Sequence, residues 1–337
     1  MATLLLLLAF LFCTRTTLAA LVPAPHLHLA YHNGPILAGP VPIKLSITFY
    51  GQFEPSQRAT LKAFLSSLSP SSVPASRRSL RASLLPVVET PSVSSWWSLT
   101  HQFSDLQGRH VSQSVIVDRE LDDTYSLGKR LTASDVASLA RRSANVEGGN
   151  SLIVIFTSAD VMVDGFCMHA CGGHSYTNLE DGGNPNVADH GAELVSGDGP
   201  RDAMVPYVWV GNPEMQCPGF CAWPFAKPQY GPTMEPLKAP NGVGVDGMII
   251  ALAKLLVGAA TNPMGNAFYQ GDEASLKLEA GEVCTGKYGA GAYPGFPGEV
   301  LQNLRSGASY NMEGRHGVQF FVPWMWNPAS GACAGQA

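Results

Sequence analysis

Residues 245–271 read VDGMIIALAKLLVGAATNPMGNAFYQG, and this stretch decides the fold because it encodes one long apolar helix. Apolar residues recur at helical spacing from Ile249 to Leu256, and Lys254 is the one charged residue within positions 247–260. Apolar side chains also lie opposite this stripe, so the helix is predicted to be buried on all sides. It is too short to span a bilayer. We expect it to form the core of the domain.

Both ends of this helix carry sequence signals. Asp246 stands where an acidic side chain favours a helix N-terminus. Pro263 ends the helix, because proline disfavours helical backbone geometry at the preceding Asn262.

The amino terminus has the pattern of a secretory leader. Residues 4–12 form an apolar run, and the mostly small residues 16–20 follow it as a cleavage region. The leader departs from the usual pattern in having no basic side chain among its first three residues. We expect residues 1–20 to be a signal peptide, with the mature chain beginning near Ala20 or Leu21. A membrane anchor is the alternative, which the shortness of the apolar run disfavours.

The charge balance excludes two classes of partner. Removing the leader would leave 20 of the 21 basic residues, all 26 acidic residues and six of the seven cysteines. This mildly acidic chain carries its basic residues in small groups, so the sequence predicts no basic patch that would bind nucleic acid or anionic lipid. We expect neither partner, and no membrane span once the leader is removed.

The rest of the chain is predicted to be one α/β domain. Residues 21–42 are rich in Pro, Gly and His and should lie extended, and no clear linker divides residues 43–337. Residues 42–49 alternate like a half-buried strand, and residues 151–156 form a continuous apolar strand. Further strands are predicted at 114–117 and 205–210, and helices after Pro55, around 92–103 and after Thr132. The order implies a sheet that is at least partly parallel.

The second half holds long loops with many glycines and prolines, together with the six remaining cysteines. These are Cys167, Cys171, Cys217, Cys221, Cys284 and Cys333. In an exported chain an even cysteine count favours three disulfides, which would keep the loops ordered. Six cysteines allow fifteen pairings. Cys284 with Cys333 is favoured, since the other four cluster.

A zinc site is the alternative interpretation of this cysteine-rich region. Two CxxxC pairs lie near His169, His174 and His190, and thiolate and imidazole are the usual zinc ligands. The spacing is not a strong zinc signature, and an oxidising compartment favours disulfides. His174 is more simply a hydrogen-bonded structural histidine.

The sequence contains no recognisable catalytic motif. It lacks a GxSxG elbow and a local catalytic-cysteine signature. We therefore predict no catalytic residue, metal or cofactor, and we keep a secreted hydrolase with an unrecognised site as an alternative.

Aromatic residues form the remaining candidate site. Flat rings in glycine-rich loops suit partners with apolar faces, including sugar rings, although most such residues pack in cores. The tryptophans are Trp96, Trp97, Trp209, Trp223, Trp324 and Trp326, with Tyr230, Tyr269, Tyr288, Tyr293 and Tyr310 nearby in loops. Trp223 and Tyr230 are the candidate recognition surface.

Ordered motifs along nearly the whole mature chain then carry a family resemblance. They are ITFYGQF at 47–53, WW at 96–97, YSLGK at 125–129, GFCM at 165–168 with CG at 171–172, WVGN at 209–212, QCPG at 216–219, CAWPF at 221–225, YGP at 230–232, DGM at 246–248, TNP at 261–263, YQG at 269–271, CTG at 284–286 and YPG at 293–295. The chain resembles the plant EXORDIUM, or phosphate-induced protein 1, family. Two departures are Ala226, where the family commonly has His, and His169-Ala170, which replace a Ser-Arg pair.

This resemblance implies a plant protein of the apoplast and cell wall that promotes cell expansion in growth responses to brassinosteroid, without an established enzymatic activity. We expect a non-enzymatic wall or signalling protein whose partner is a cell-wall polysaccharide or an extracellular protein. A wall-polysaccharide-binding protein without signalling is the alternative.

A second resemblance concerns the central helix. A buried helix that runs into T-N-P and an aromatic pair is similar to the active helix of some secreted zinc peptidases of the zincin superfamily. In that register Lys254, Leu255 and Gly258 occupy the ligand and general-base positions, and none of them can fill those roles. The resemblance implies a zincin-like scaffold without the zinc site.

Overall fold

The computed structural model describes residues 27–70, 91–144, 150–179, 204–231, 234–271 and 277–336. The predicted leader at 1–20 and His190 lie outside these residues. From residue 27 to residue 42 the chain is largely irregular, with one short strand, β1 (Ala30–Tyr31).

The centre of the fold is a five-stranded sheet. Its strands are β2 (Ile43–Tyr50), β3 (Val115–Asp123), β5 (Ser151–Thr157), β7 (Gly172–Asn178) and β8 (Met204–Gly211), in the spatial order β3-β2-β5-β8-β7. Strands β3, β2, β5 and β8 run parallel to one another, and β7 pairs antiparallel with β8. Together with the helices below, this sheet confirms the predicted α/β class.

Strand β2 differs from the prediction. The alternation of apolar and polar residues predicted a half-buried strand, and this is wrong, because Ser46 and Thr48 are buried as well. The strand lies between β3 and β5 with helices on both faces, and the Thr48 and Ser143 hydroxyls share a 2.6 Å hydrogen bond. The polar positions are therefore satisfied inside the protein.

Strand β3 is longer than the sequence indicates. The prediction covered 114–117, but the strand continues to Asp123 through mostly exposed, charged residues. It lies at the edge of the sheet, where one side of the backbone faces solvent and charged side chains are tolerated.

Helices cover both faces of the sheet. They are α1 (Pro55–Ser67), α2 (Val93–Ser98) with a 3₁₀ turn at Leu99–Gln102, α3 (Ala133–Ser143), α4 (Pro218–Cys221) and α5 (Val243–Thr261). The α3 start is the predicted capping box, with Thr132 N–H donating to Asp135 and Asp135 N–H donating to Thr132. Helices α1 and α5 share one apolar core, and α3 packs in a second core on the opposite face.

Helix α5 is the central buried helix that the sequence predicts. All of its residues from Gly244 to Thr261 are buried except Lys254, and it packs against β7, β8, α1 and α4. Among the described residues it is the one helix long and apolar enough to cross a membrane, but most of it is buried inside the protein.

Short ladders and disulfides hold the remaining loops. Two-residue or three-residue strands pair antiparallel, β1 with β9 (Phe268–Tyr269), β10 (Leu301–Gln302) with β11 (Ser309–Tyr310), β12 (Met312–Glu313) with β13 (Gln319–Phe320), and β14 (Met325–Asn327) with β15 (Ala332–Ala334). β4 (Arg130–Leu131) pairs parallel with β6 (Met162–Val163).

The six cysteines form three disulfides. The pairs are Cys167–Cys217, Cys171–Cys221 and Cys284–Cys333. The last pair is the one that the sequence favoured. Because all six sulfurs are bonded to one another, none is available as a thiolate ligand for zinc.

Leu252→Ala or Leu256→Ala in α5 is expected to lower the free energy of unfolding by about 2–5 kcal/mol. Both side chains are fully buried, so truncation leaves a cavity in the core. Urea denaturation followed by circular dichroism measures the change. The matched control is Leu304→Ala, because Leu304 is 98% exposed. A loss in α5 no larger than in this control would contradict the central role of the helix.

Candidate functional site

Three aromatic side chains line an open cleft that we call the aromatic cleft. Trp223 and Tyr230 come from the segment after α4, and Tyr293 comes from a loop some 65 residues later. Tyr230 is 82% exposed and Tyr293 64% exposed, whereas Trp223 is half-buried. The cleft has a volume of about 440 Å³, within the range of small-molecule sites. The two residues predicted as a recognition surface thus line one cleft.

Covalent and packing constraints hold Trp223 in place. The residue lies two positions after Cys221, which is tied to Cys171. The indole ring packs against Tyr288, with ring centroids 5.9 Å apart. Tyr288 itself is buried. One face of the indole is therefore packed, while the other part borders the cleft.

The opposite wall is a loop that follows the third disulfide. Cys284 anchors it to Cys333, and Tyr293 and Phe296 exchange two backbone hydrogen bonds of 3.0 and 2.8 Å. Tyr293 also packs on the Phe296 ring, with centroids 5.2 Å apart. The ring is consequently exposed on a tight turn, which lowers the conformational entropy lost when it meets a ligand.

Polar groups complete the aromatic cleft. Thr285 and Lys287 line it, and both are exposed. The Thr285 hydroxyl donates to the Glu282 carbonyl at 2.7 Å and keeps its lone pairs for an outside donor. Aromatic faces beside a few hydroxyl and ammonium groups fit a ligand with apolar C–H faces and a polar edge, which describes a sugar ring.

The other tryptophans do not reach this cleft. Trp96, Trp97 and Trp326 are buried, and Trp209 and Trp324 are half-buried. Trp96 donates its indole N–H to the Pro323 carbonyl at 2.9 Å, which satisfies it within the core. Packing therefore accounts for most of these residues, as expected.

A buried polar cluster lies behind the loop that forms the cleft wall. His174 on β7 contacts Glu279 with 2.5 Å between Nε2 and Oε2, and Asn262 at the end of α5 donates to Glu279 Oε1 at 2.6 Å. The Asn262 side-chain oxygen in turn accepts from the Ala267 N–H. The cluster joins the sheet edge, the C-terminal end of α5 and the loop that leads to Cys284.

Gly258 makes room for this cluster on the helix surface. A Cβ atom there would lie 2.5 Å from Glu279 Oε2 and 2.8 Å from His174 Nε2. A larger residue at this position would have to displace the Glu279 and His174 side chains. His174 is a hydrogen-bonded structural histidine, which is the simpler of the two interpretations made from the sequence. Its partners were missed because Glu279 lies 105 residues away along the chain.

The electrostatics of His174 follow from its surroundings. Burial lowers its pKa, but the Glu279 carboxylate beside it raises the pKa by more, with a smaller contribution from Glu282, so the net pKa lies above its ordinary value. The imidazolium form is thus stabilised by the fold.

The described part of the chain is therefore a disulfide-tied α/β domain with an exposed aromatic cleft. The chain matches the phosphate-induced protein 1 conserved region over residues 29–336, and it belongs to that family. It is 40% identical over 320 residues to the protein PHOSPHATE-INDUCED 1 of Nicotiana tabacum, which covers 94% of this chain and 91% of the relative. In Arabidopsis thaliana, EXORDIUM-like 1 is 41% identical over 310 residues (90% and 88% covered) and EXORDIUM 40% over 311 (91% and 88% covered). The resemblance inferred from the motifs is confirmed.

The zincin-like scaffold has no support. No solved structure matches the chain. The part of the chain that the structure describes contains no group of three or more His, Cys, Asp or Glu residues placed to hold a metal ion. Where the register would need a ligand, Gly258 instead accommodates the His174–Glu279 pair.

The raised pKa of His174 predicts a pH dependence of stability. A group whose pKa is higher in the folded state stabilises the fold when it is protonated. For His174 this contribution is complete below the pKa of the unfolded chain, about 6.5, and is lost as pH rises through the pKa of the folded protein. We expect the free energy of unfolding of wild type to fall between about pH 6 and pH 8 more steeply than that of His174→Gln. Urea denaturation across this range measures both slopes.

The comparison of slopes measures His174 together with the group coupled to it, because burial raises the pKa of Glu282 while His174 is among the charges that lower it. Asp246 also titrates in this range, because burial raises its pKa to about 7, but it is present in both proteins. His169→Gln, at an exposed histidine, is the matched control and should keep the wild-type slope. Equal slopes for wild type and His174→Gln would show that the pair is not linked to folding.

Proposed function

We propose that this protein is exported to the apoplast and cell wall, where it promotes cell expansion and growth in brassinosteroid-linked responses by non-enzymatic recognition. Membership of the phosphate-induced protein 1 family supports the growth role. The leader pattern at residues 1–20 supports export, and three disulfides suit an oxidising compartment.

The aromatic cleft is the observation that carries the recognition hypothesis. Tyr230 and Tyr293 expose large ring surfaces within one cleft, and grouped exposed apolar surface is typical of a binding site. A wall polysaccharide is the partner that fits best, since a chain of sugar rings offers repeated C–H faces for the rings and hydroxyls for Thr285 and Lys287.

The lining of the cleft favours binding over hydrolysis. The residues that line it are Trp223, Pro228, Tyr230, Thr285, Gly286, Lys287, Ala292, Tyr293, Pro294 and Gly295. Within the described ranges the lining includes no carboxylate and no histidine, whereas glycoside hydrolysis ordinarily needs a pair of carboxyl groups on either side of the bond. A sugar held here would be bound without general acid–base chemistry.

Tyr230→Ala and Tyr293→Ala are each expected to weaken association with wall polysaccharide by about 3- to 10-fold, because each removes one ring face worth roughly 0.7–1.4 kcal/mol. Affinity electrophoresis in soluble hemicellulose and pectin, with pull-down on isolated wall fractions, measures the change. Trp223→Phe should lose less, since part of the ring surface remains.

Tyr176→Ala is the matched control, because Tyr176 is an exposed tyrosine outside the cleft. Circular dichroism must show that all variants fold. Polysaccharide association that survives both cleft substitutions would rule out the aromatic cleft as its site. Binding to a wall protein but to no polysaccharide would replace the sugar partner with a protein partner.

Export is expected to remove the leader and to be needed for growth promotion. N-terminal sequencing of protein from the extracellular fluid should begin near Ala20 or Leu21, because the small residues before this point suit signal-peptide cleavage. A form without residues 1–20 should stay inside the cell and lose growth promotion. Intact Met1 on the active protein, or full growth promotion by the retained form, would contradict export.

A further inference from the structure

A second cleft lies at the carboxyl ends of the parallel strands and shares no lining residue with the aromatic cleft. The chain first passes from β2 to β3 on one side of the sheet order and then returns to β5 on the other side of β2. The segments after β2 and β5 consequently leave toward opposite faces, with α1 in one core and Val161 in the other. In open α/β sheets, ligands bind at such a switch point.

The walls of this polar cleft come from all four parallel strands. Lining residues are Gly51, Gln52, Phe53, Glu54, Gln57 and Arg58 after β2, Asp122, Thr124 and Tyr125 at the end of β3, Ala159 and Asp160 after β5, and Asn212 and Met215 after β8. The cleft has a volume of about 740 Å³. This size suits a ligand of roughly one or two sugar units.

Close packing fixes the floor of the polar cleft. Gly51 has a φ of +97°, and a Cβ atom there would lie 2.0 Å from Ser158 Oγ, so the loops after β2 and β5 touch through a glycine. Asn212 is buried, and its side-chain oxygen accepts the Glu214 N–H at 3.0 Å. The backbone around the cleft is therefore held before any ligand arrives.

Three of the four charged side chains in the wall, Arg58, Asp122 and Asp160, are held in ion pairs. Asp160 accepts from Ser158 Oγ at 2.7 Å and from Tyr125 Oη at 2.9 Å, and its other contact is Lys129 Nζ at 2.6 Å. Burial raises the pKa of Asp160, but these three partners lower it by more, so the net pKa is about 2. The carboxylate is thus a fixed, ionised acceptor at the cleft wall.

Arg58 is fixed in the same way. Its guanidinium lies over the Phe49 ring, 4.4 Å from the centroid, and pairs with Glu120 at 3.1 Å and with Asp122. Since its charge is already balanced, it offers little attraction to an anion. Two of the three carboxylates in the wall, Asp122 and Asp160, are likewise already engaged by Arg58 and Lys129.

The groups left for a ligand are mostly uncharged. Within the described ranges, the Gln52 amide and the Thr124 hydroxyl make no side-chain hydrogen bond, and both are exposed in the cleft. Glu54 adds an exposed carboxylate, and the Phe53 and Tyr125 rings add apolar surface. Amide, hydroxyl and carboxylate groups beside aromatic rings match alternating hydroxyl and C–H groups.

We propose that the polar cleft is a second binding site, which takes a neutral carbohydrate of one or two sugar units, such as the end of a glycan. This site is independent of the aromatic cleft and of the proposed wall association. The segment 212–230 contributes to both, because Asn212 and Met215 line the polar cleft while Trp223 and Tyr230 line the aromatic one.

The test is a titration of the purified, disulfide-bonded protein with cellobiose, xylobiose, galactose and arabinose. Isothermal calorimetry measures binding at up to about 10 mM sugar, and amide chemical shifts in NMR spectra locate it. Putrescine and galacturonate serve as probes for a cation site and an anion site. We expect at least one neutral sugar to bind and to shift the amides of Gln52 and Thr124.

Matched substitutions decide between the clefts. Gln52→Ala removes a hydrogen-bonding amide, and Glu54→Gln replaces a charged acceptor with a weaker neutral one, so each should weaken sugar binding at least about fivefold. Gln102→Ala and Glu235→Gln are the matched controls, because they change exposed residues outside the polar cleft, and they should leave sugar binding unchanged. Tyr230→Ala, in the aromatic cleft, should also leave sugar binding unchanged. Loss in Tyr230→Ala alone would place the sugar in the aromatic cleft and overturn the proposal.

Three other results would also overturn it. These are no binding of any neutral sugar, tighter binding of putrescine or galacturonate than of every neutral sugar, and sugar binding that neither Gln52→Ala nor Glu54→Gln weakens. Wall association through the aromatic cleft would be untouched by any of these outcomes.

Discussion

The burial of helix α5 against the central sheet is the interaction on which the other parts of the molecule depend. Side chains such as Met248, Ile249 and Leu252 are fully removed from water, and each contributes roughly 1.5–3 kcal/mol as an upper estimate. The helix contacts β7 and β8 on the sheet and α1 and α4 beside it. It therefore fixes the positions of segments that are distant in sequence.

Small residues on α5 let these segments approach closely. Gly247 lies against Ala222 and Pro213, where an added Cβ would fall 2.8 Å from each, and Gly258 faces the His174–Glu279 pair. The first contact holds the segment that contributes Asn212 to one cleft and Trp223 to the other. The second holds the loop that continues to Thr285 and Lys287. Both candidate sites thus take their geometry from one helix.

The sequence predicted the parts of the fold that local pattern determines. Neighbouring residues determine the apolar run of β5, the capping box of α3 and the extent of α5. Periodicity and capping signals were therefore enough to predict these elements. The burial of Ser46 and Thr48 and the exposed continuation of β3 depend on the order of strands in the sheet. Local alternation carries no information on that order, which is why these two features were missed.

The candidate sites also contain residues that local sequence predicts and residues that only the fold brings together. Trp223 and Tyr230 could be proposed from the sequence, because both stand in a segment rich in glycine and proline with few helix signals. Tyr293 could not be joined to them, since the two walls meet only through tertiary packing. The polar cleft was missed altogether, because its residues come from four separate strand ends, which meet only in the folded protein.

The paired disulfides show how the chain keeps the aromatic cleft in a fixed position. Cys167–Cys217 and Cys171–Cys221 each join residues 50 positions apart, so the first to close restricts the unfolded chain by about 4 kcal/mol in the chain-entropy description. The second then closes only a small ring, since its ends lie four residues beyond those of the first, and it restricts the unfolded chain much less. Its main effect is local: two crosslinks, unlike one, prevent α4 from rotating about a single tether. Because Trp223 follows α4 directly, the second crosslink bears on the orientation of the ring more than on the stability of the fold.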